Sequence, residues 1–315
     1  MAILVTGGTG YIGRWLAREL ISRDIETVAF DRVAADPASN LPLPPEATFI
    51  QGDVTDREAV VAAAKRQPFS AIVHLAGVVT MGCEKDPELG MRVNLGGTHN
   101  VFEAARLAGI PRVVFASTIS VYGPNVPQPI SENVPIEPLT WYGQSKYMAE
   151  QLGLYYQRRH GLDFRATRLA AIVGPFRVAA GSATLYTTLI LERAALGQPY
   201  VIEVDEKAAT PICYAKDAAR ALATLATAES APRRIYNVGT CRATAVGLLA
   251  VAKKRYPDAR IEFRPDPDMA AVGRISWDWD LSIDAAAENL GWRPSYSLET
   301  MAEDLMATVR RERPL

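Results

Sequence analysis

A doubly wound α/β fold, with one parallel sheet covered by helices on both faces, is predicted by three features of this chain. Short apolar runs alternate with stretches of helical periodicity through its first half. A glycine-rich loop follows the first of those runs. The 315 residues suffice for one large lobe and a smaller second one, since single cores stop growing at roughly 250 to 300 residues.

Residues 2–6, AILVT, form an apolar run of the kind buried on both faces of a parallel sheet. In YIGRWLAREL, which follows, Ile12, Trp15, Leu16 and Leu20 recur at helical spacing. ETVAF, TFIQ, AIVHLAG, RVVFAS and FRATRLA are further strand candidates, separated by helical patterns or polar loops. Right-handed crossovers between parallel strands put the helices on both faces. Proline excludes helix at 41–45 and recurs through 123–138, and both stretches are expected to be surface loops. Beyond Pro175 the alternation weakens, with a helical pattern over 181–197 and mixed short runs over 255–300. The expected organisation is a large lobe over residues 1–174, to which about 211–250 return, and a smaller lobe of 175–210 and 251–315 over the mouth of the sheet.

With 34 basic and 35 acidic residues the net charge is −1, which supplies no field for gathering nucleic acid or an anionic membrane. Small molecules are the expected ligands. Cys83, Cys213 and Cys241 lie far apart, lack metal-ligand spacing and are odd in number, so buried thiols are expected and no metal site. The stretch from Met1 into AILVTGG lacks the basic region, long apolar core and small-residue cleavage site of a signal peptide, so none is expected, and no run approaches the ~18 apolar residues of a membrane helix. Cytoplasm is the expected compartment.

TGGTGYIG, residues 6–13, joins the first strand to the first helix and carries both a Gly8, Gly10, Gly13 and a Gly7, Gly10, Gly13 spacing. Glycines in this context allow a positive φ, close approach of backbone to a pyrophosphate, and tight packing of helix on strand. The helix N-terminus then offers free amides to the phosphates. The loop reads as the dinucleotide cradle of a Rossmann-type lobe, with Gly7, Gly10, Tyr11, Ile12 and Gly13 as cofactor-binding candidates. Asp31 ends the second strand near the ~20-residue interval at which an acid receives the ribose hydroxyls, which favours NAD over NADP. Arg32 beside it is of the type that accommodates a ribose phosphate.

In TWYGQSK, Tyr142 and Lys146 stand at i and i+4, on one helix face. A phenol with a pKa near 10 is a poor base, and lowering it by ~3 units takes about 4 kcal/mol. An adjacent ammonium and an oxidised nicotinamide in a partly dry cleft supply energy of that order. With tyrosine and cofactor in one crevice, the expected chemistry is hydride transfer, the phenolate taking a hydroxyl proton.

TGGTGYIG, GDVTD at 52–56, HLAG at 74–77, STISVYG at 117–123, YGQSK at 142–146 and LGWRP at 290–294 together resemble the extended short-chain dehydrogenases/reductases, the NAD-dependent epimerase/dehydratase family, over nearly the whole chain. The resemblance implies Tyr142 as catalytic base or acid, Lys146 as the holder of the nicotinamide ribose that also depresses the tyrosine's pKa, and Thr118 as the hydroxyl on the reacting oxygen, with Ser117 and Ser120 as substitutes. It implies adenine contacts at Asp53 and Val54, a phosphate and ribose lining at Leu75, Ala76 and Gly77, and Asn94 beside the site. His74 is read as structural. A homodimer through the helix after YGQSK is also implied, with Ala149 and Gly153 allowing close approach.

The sequence departs from the family's dehydratases, which carry Asp and Glu where Ile119 and Ser120 stand here, and from its nucleotide-sugar epimerases, whose diphosphate-binding Asn and Arg correspond to Ala171 and Thr210. The expected activity is therefore NAD-dependent oxidation of a sugar, sugar acid, polyol or hydroxy acid. An NAD-retaining epimerase is the alternative, and a non-catalytic cofactor sensor a third reading. Arg177, Lys207 and Arg274 are candidates for meeting a carboxylate, while Trp277, Trp279 and Trp292 are read as packing.

Overall fold

The computed structural model describes residues 1–36, 39–177, 184–267 and 279–312. Arg274 and Trp277 lie outside the described residues. In chain order the elements are β1 (Ala2–Thr6), α1 (Tyr11–Ile21), β2 (Glu26–Asp31), β3 (Thr48–Gln51), α2 (Arg57–Ala64), β4 (Ala71–His74), the short α3 (Thr80–Lys85) and α4 (Pro87–Gly90), a π-helical turn (Met91–Gly97), α5 (Thr98–Ala108) and β5 (Arg112–Thr118). After a 3-10 turn (Ile119–Val121) come α6 (Trp141–His160), β6 (Asp163–Leu169), β7 (Ala171–Val173), α7 (Tyr186–Ala195), β8 (Tyr200–Ile202), β9 (Ala209–Tyr214) and α8 (Ala215–Thr227). The chain continues through β10 (Ile235–Val238), β11 (Cys241–Thr244), α9 (Ala245–Arg255), β12 (Ile261–Phe263), α10 (Asp284–Leu290) and α11 (Leu298–Glu312).

Seven strands form one all-parallel sheet in the order β10-β6-β5-β4-β1-β2-β3. The chain winds outward from β1 through β2 and β3, then crosses back to β4 on β1's other side, and that reversal opens a crevice at the carboxyl ends of β1 and β4. The doubly wound α/β fold expected from the alternation is thus present. Each predicted apolar run is a sheet strand, although the AIVHLAG run leaves the sheet after His74. The helical pattern over 181–197 gives α7, which Gly197 ends with φ of +63°, a conformation that costs glycine little.

Helices α1 and α8 pack against each other over one face, through Leu16 and Leu20 of α1 and Ala218 and Leu222 of α8. Helices α2, α5 and α6 cover the other, where Val60, Phe102 and Ala149 are buried. A separate core joins α7, α9 and α11 to a three-stranded sheet ordered β11-β9-β7. Ala149 and Gly153 correct one expectation. Both are buried on the inner side of α6, and a Cβ on Gly153 would overlap the Phe164 ring, so their small size serves α6's seat on its own sheet and not a partner chain. Among the described residues no helix is long and apolar enough to cross a membrane.

Candidate active site

The crevice between β1 and β4 deepens into a cleft of about 410 Å³. Its floor begins with the glycine loop. The Gly7 amide donates to Phe30 O at 2.9 Å and its φ is +71°. A Cβ on Gly7 would stand 2.6 Å from the Ala76 nitrogen, and one on Gly8 2.6 Å from the Ala29 Cβ. Gly13 is held as tightly against the carbonyls of Gly7 and Gly8. Gly10 differs: a Cβ there would meet only Gly7 within 4 Å, and otherwise enters the open cleft. Gly10 is the N-cap of α1, and no side chain caps that helix end. First-turn amides without a side-chain cap, beside a space that a methyl group would invade, fit the pyrophosphate of a dinucleotide.

Beside the loop, the Thr9 amide donates to Asp31 Oδ2 at 3.2 Å. The half-buried carboxylate of Asp31 thereby ties the tip of β2 to the cradle, while Arg32 is exposed. Asp53 accepts from the Thr55 amide at 2.8 Å and its hydroxyl at 2.9 Å, closing its own turn. Val54 is buried, and its side chain packs where a Cβ on Gly97 would go.

The N-terminus of α6 is brought to the same cleft. Thr140 caps the helix by accepting from the Gly143 amide at 3.0 Å. A Cβ on Gly143 would overlap Ser120 O, so glycine at this position lets the helix abut the turn that follows Thr118. Thr118, Tyr142 and Lys146 all line the cleft, with Gly7, Gly10 and Tyr11. Ile12, Leu75 and Gly77 line it too; Gly13, Asp31, Arg32, Asp53, Val54 and Ala76 do not.

Of the hydroxyls beside Thr118, Ser117 donates to buried Glu150 and is committed to the core, whereas Ser120 lies at the cleft within 3.2 Å of Thr118 Oγ1. Lys146 is 4% exposed and donates to Ala116 O at 2.9 Å, its Nζ lying 4.6 Å from the Phe115 ring centre and 6.0 Å from that of Tyr142.

Burial pushes the Tyr142 phenol up to about 12, against the downward pull of the Thr118 hydroxyl. Burial also lowers Lys146 to about 8. One dry pocket thus disfavours both charged forms, and the ammonium surrenders its proton before the phenol does.

Behind this front lies a polar network. Asn94 Nδ2 donates to Ser145 Oγ at 3.0 Å and to Val78 O at 3.0 Å, and its Oδ1 accepts from the Val78 amide at 2.7 Å. It therefore clamps the loop after β4 to α6. The Thr6 hydroxyl bonds His74 Nδ1 at 2.6 Å, and Nε2 bonds Thr98 Oγ1 at 2.9 Å, which in turn donates to Asn94 O. Burial and the nearby Lys146 charge lower His74 to about 3, so it stays neutral. Sequence reasoning missed Glu150, which accepts from Arg168 Nη2 at 2.7 Å and Nε at 3.0 Å; its signal was the continuation of the Tyr142, Lys146 spacing by another four residues. Trp279, read as packing, is buried in the core at 4% exposure and also lines the cleft. Lys207 is exposed and away from it, and Trp292 is buried beside Arg220.

The sequence model of the NAD dependent epimerase/dehydratase family matches residues 3–239. The mitochondrial L-threonine 3-dehydrogenase of Bos taurus is 28% identical over 312 residues, covering 96% of this chain and 81% of that protein. An L-threonine dehydrogenase from Cupriavidus necator, solved in its holo form, superposes with a TM-score of 0.89 at 27% identity, covering 98% of this chain and 100% of that one. The Thermus thermophilus UDP-glucose 4-epimerase complex with NAD has a TM-score of 0.83 at 28% identity, over 98% and 99% of the two chains. From the glycine cradle, the parallel sheet and the match across three quarters of its length, the chain belongs to the NAD dependent epimerase/dehydratase family, enzymes of the extended short-chain dehydrogenase/reductase type that work with NAD.

Proposed function

We propose that this protein oxidises a secondary alcohol of a small polar substrate, with NAD as the oxidant and Tyr142 as the general base. The observation that carries the reading is that Thr118, Tyr142 and Lys146 share one cleft with Gly7 and Gly10. In this reading Gly7, Gly10, Gly13 and the amides of Tyr11 and Ile12 hold the pyrophosphate. Asp31 receives the adenosine ribose with Arg32 at its rim, Asp53 and Val54 flank the adenine, Leu75, Ala76 and Gly77 line the phosphates and ribose, and Lys146 grips the nicotinamide ribose. When bound, NAD supplies the two-electron oxidation by accepting a hydride from the carbinol carbon.

Tyr142 Oη takes the carbinol proton and Thr118 Oγ1 steadies the reacting oxygen. Bringing a phenol from about 12 to neutral pH takes roughly 7 kcal/mol. A cation at ~6 Å and an effective dielectric of ~20 contributes about 3 kcal/mol, so Lys146 alone does not suffice. Lys146 and the Thr118 hydroxyl therefore ease proton removal only in part, and an oxidised nicotinamide would, when bound, add further positive charge beside the phenol.

An epimerase would need groups for a nucleotide diphosphate, and Ala171 and Thr210, which line the cleft, offer it neither a cation nor an amide side chain; this favours the dehydrogenase. The proposed lobes are residues 1–174 with about 211–250, and 175–210 with 251–315, in a cytoplasmic homodimer that pairs through the outward face of α6, where Met148 and Tyr155 are exposed. A panel of sugar acids, polyols, hydroxy acids and nucleotide sugars with added NAD should yield NADH with at least one alcohol. Tyr142→Phe should lower that rate by about 10² to 10⁴ while NAD affinity stays within a fewfold; undiminished turnover would remove Tyr142 from the chemistry.

A further inference from the structure

Tyr11 serves two parts of the molecule at once. It opens α1 at the end of the glycine loop and lines the cleft, and its ring packs against both the core of the main sheet and the separate core around α7, α9 and α11. Its hydroxyl donates to Pro175 O at 3.0 Å, across 164 residues. The phenol fits because residue 174 has no side chain: a Cβ on Gly174 would overlap Tyr11 Oη and stand 2.9 Å from the Ala215 Cβ. Pro175 leads into Phe176 and Arg177, and Arg177 lines the cleft. Between these two, Phe176 has φ of +61°, a left-handed conformation that bulky side chains rarely take. Such a residue persists only where its surroundings over-determine it. Two restraints are visible here. The Phe176 ring is buried in the second core, and the carbonyl before it is held by Tyr11. The Pro175 carbonyl and the Phe176 amide share one peptide plane, so holding the carbonyl also holds the plane from which the Phe176 φ is turned.

We propose that Tyr11 is a positioning residue that couples the cofactor seat to the far side of the cleft: its hydroxyl, through Pro175 O, holds the turn over 174–177 in the strained form that presents Arg177 to the cleft. The inference rests on the glycine-loop seat and goes beyond the question of which alcohol is oxidised. A pyrophosphate on the first turn of α1 fixes the Tyr11 backbone, and a fixed backbone narrows the arc its hydroxyl can sweep. The turn over 174–177 is then held more firmly. Without the hydroxyl this restraint is lost, the turn relaxes toward negative φ, and Arg177 moves from its place. Cofactor binding and order in the turn are therefore linked, and the linkage runs both ways.

Hydrogen–deuterium exchange of the full-length protein, read on peptides containing residues 174–177 with and without saturating NAD, tests this with no substrate present. In the wild type NAD should slow exchange there by about fivefold or more. Tyr11→Phe removes one oxygen and keeps the amide offered to the pyrophosphate. It should speed that exchange about fivefold or more and abolish the response to saturating NAD, while peptides from β5 and α5 exchange as in the wild type. Its NAD affinity, titrated separately, should fall less than tenfold. Gly174→Ala, which displaces the ring instead of removing the oxygen, should reproduce both exchange effects. With whichever alcohol the panel shows to be oxidised, Tyr11→Phe should raise KM for that alcohol at least fivefold and lower kcat by a smaller factor. A wild-type turn that does not respond to NAD, or a Tyr11→Phe turn that responds as the wild type does, would overturn the inference. So would a fall in NAD affinity of tenfold or more with exchange at 174–177 unchanged, since the hydroxyl would then serve the cofactor directly. If no alcohol is oxidised, the dehydrogenase reading fails while the exchange experiment still decides the role of Tyr11.

Discussion

Glu150 has no exposed side-chain surface, and Arg168, 4% exposed, answers it with a two-point contact. Removing one partner leaves an uncompensated buried charge, which costs far more than the pair contributes. Glu150→Ala should therefore destabilise the protein by about 3–5 kcal/mol in urea unfolding, and adding Arg168→Met should recover part of the loss. Gly7 poses a different constraint, with φ of +71° and the Ala76 nitrogen 2.6 Å from where a Cβ would sit. Gly7→Ala should weaken NAD binding at least tenfold in a fluorescence titration, because the loop must move to admit the methyl group. Gly10→Ala, whose Cβ would press only on the Gly7 carbonyl oxygen at 3.0 Å, should weaken NAD while lowering the unfolding midpoint of the cofactor-free protein less than Gly7→Ala does.

At the level of elements, the π-helical turn and α6 act together through Asn94. Asn94→Asp keeps the bond from the Val78 amide but loses the amide donor to Ser145 and Val78 O, so the loop over Lys146 should loosen. NAD affinity and turnover should fall together, by about tenfold each if one to two charge-sensitive hydrogen bonds are lost, with most of the stability retained. The strands were legible because a sheet buried on both faces demands continuous apolar runs such as AILVT and RVVFAS. Tyr142 and Lys146 were legible because their relation is local, one helical turn. What stayed hidden depends on partners far along the chain: Asn94 meets Ser145 across 51 residues, and Trp279 reaches a cleft whose first wall is residue 7. The inward side of α6 was misjudged at Ala149 and Gly153, since small residues fit a close neighbour without saying whether it is a sheet or a second subunit.

For the whole molecule, His74 contributes to the acid side of stability, beside carboxylates such as Glu103 that their arginine partners hold low. The folded-state value of His74, about 3, lies below the ordinary 6.5 because burial disfavours the imidazolium. Between those values the unfolded chain binds the extra proton, so stability falls as pH drops below about 6.5. The loss should be about 1.5 kcal/mol between pH 6.5 and 5 at the slope for one proton, and His74→Gln should flatten that segment of the profile while lowering stability throughout. Tyr142 works in the opposite direction at the alkaline end: its phenol is raised to about 12 from 10.0, so above pH 10 the unfolded chain gives up a proton that the folded one keeps, and stability declines.

Because the seven central strands all run one way, every turn that feeds a strand sits on the edge remote from the cleft. Two such turns, at Gly109 before β5 and Gly161 before β6, have φ near +70° and nothing within 4 Å of where a side chain would start. With both glycines kept, since a side chain at their positive φ would be strained, that lower edge is where a fluorophore tether or an epitope could be grafted on a neighbouring exposed residue without touching catalysis, whereas the same graft at the upper edge would plug the mouth.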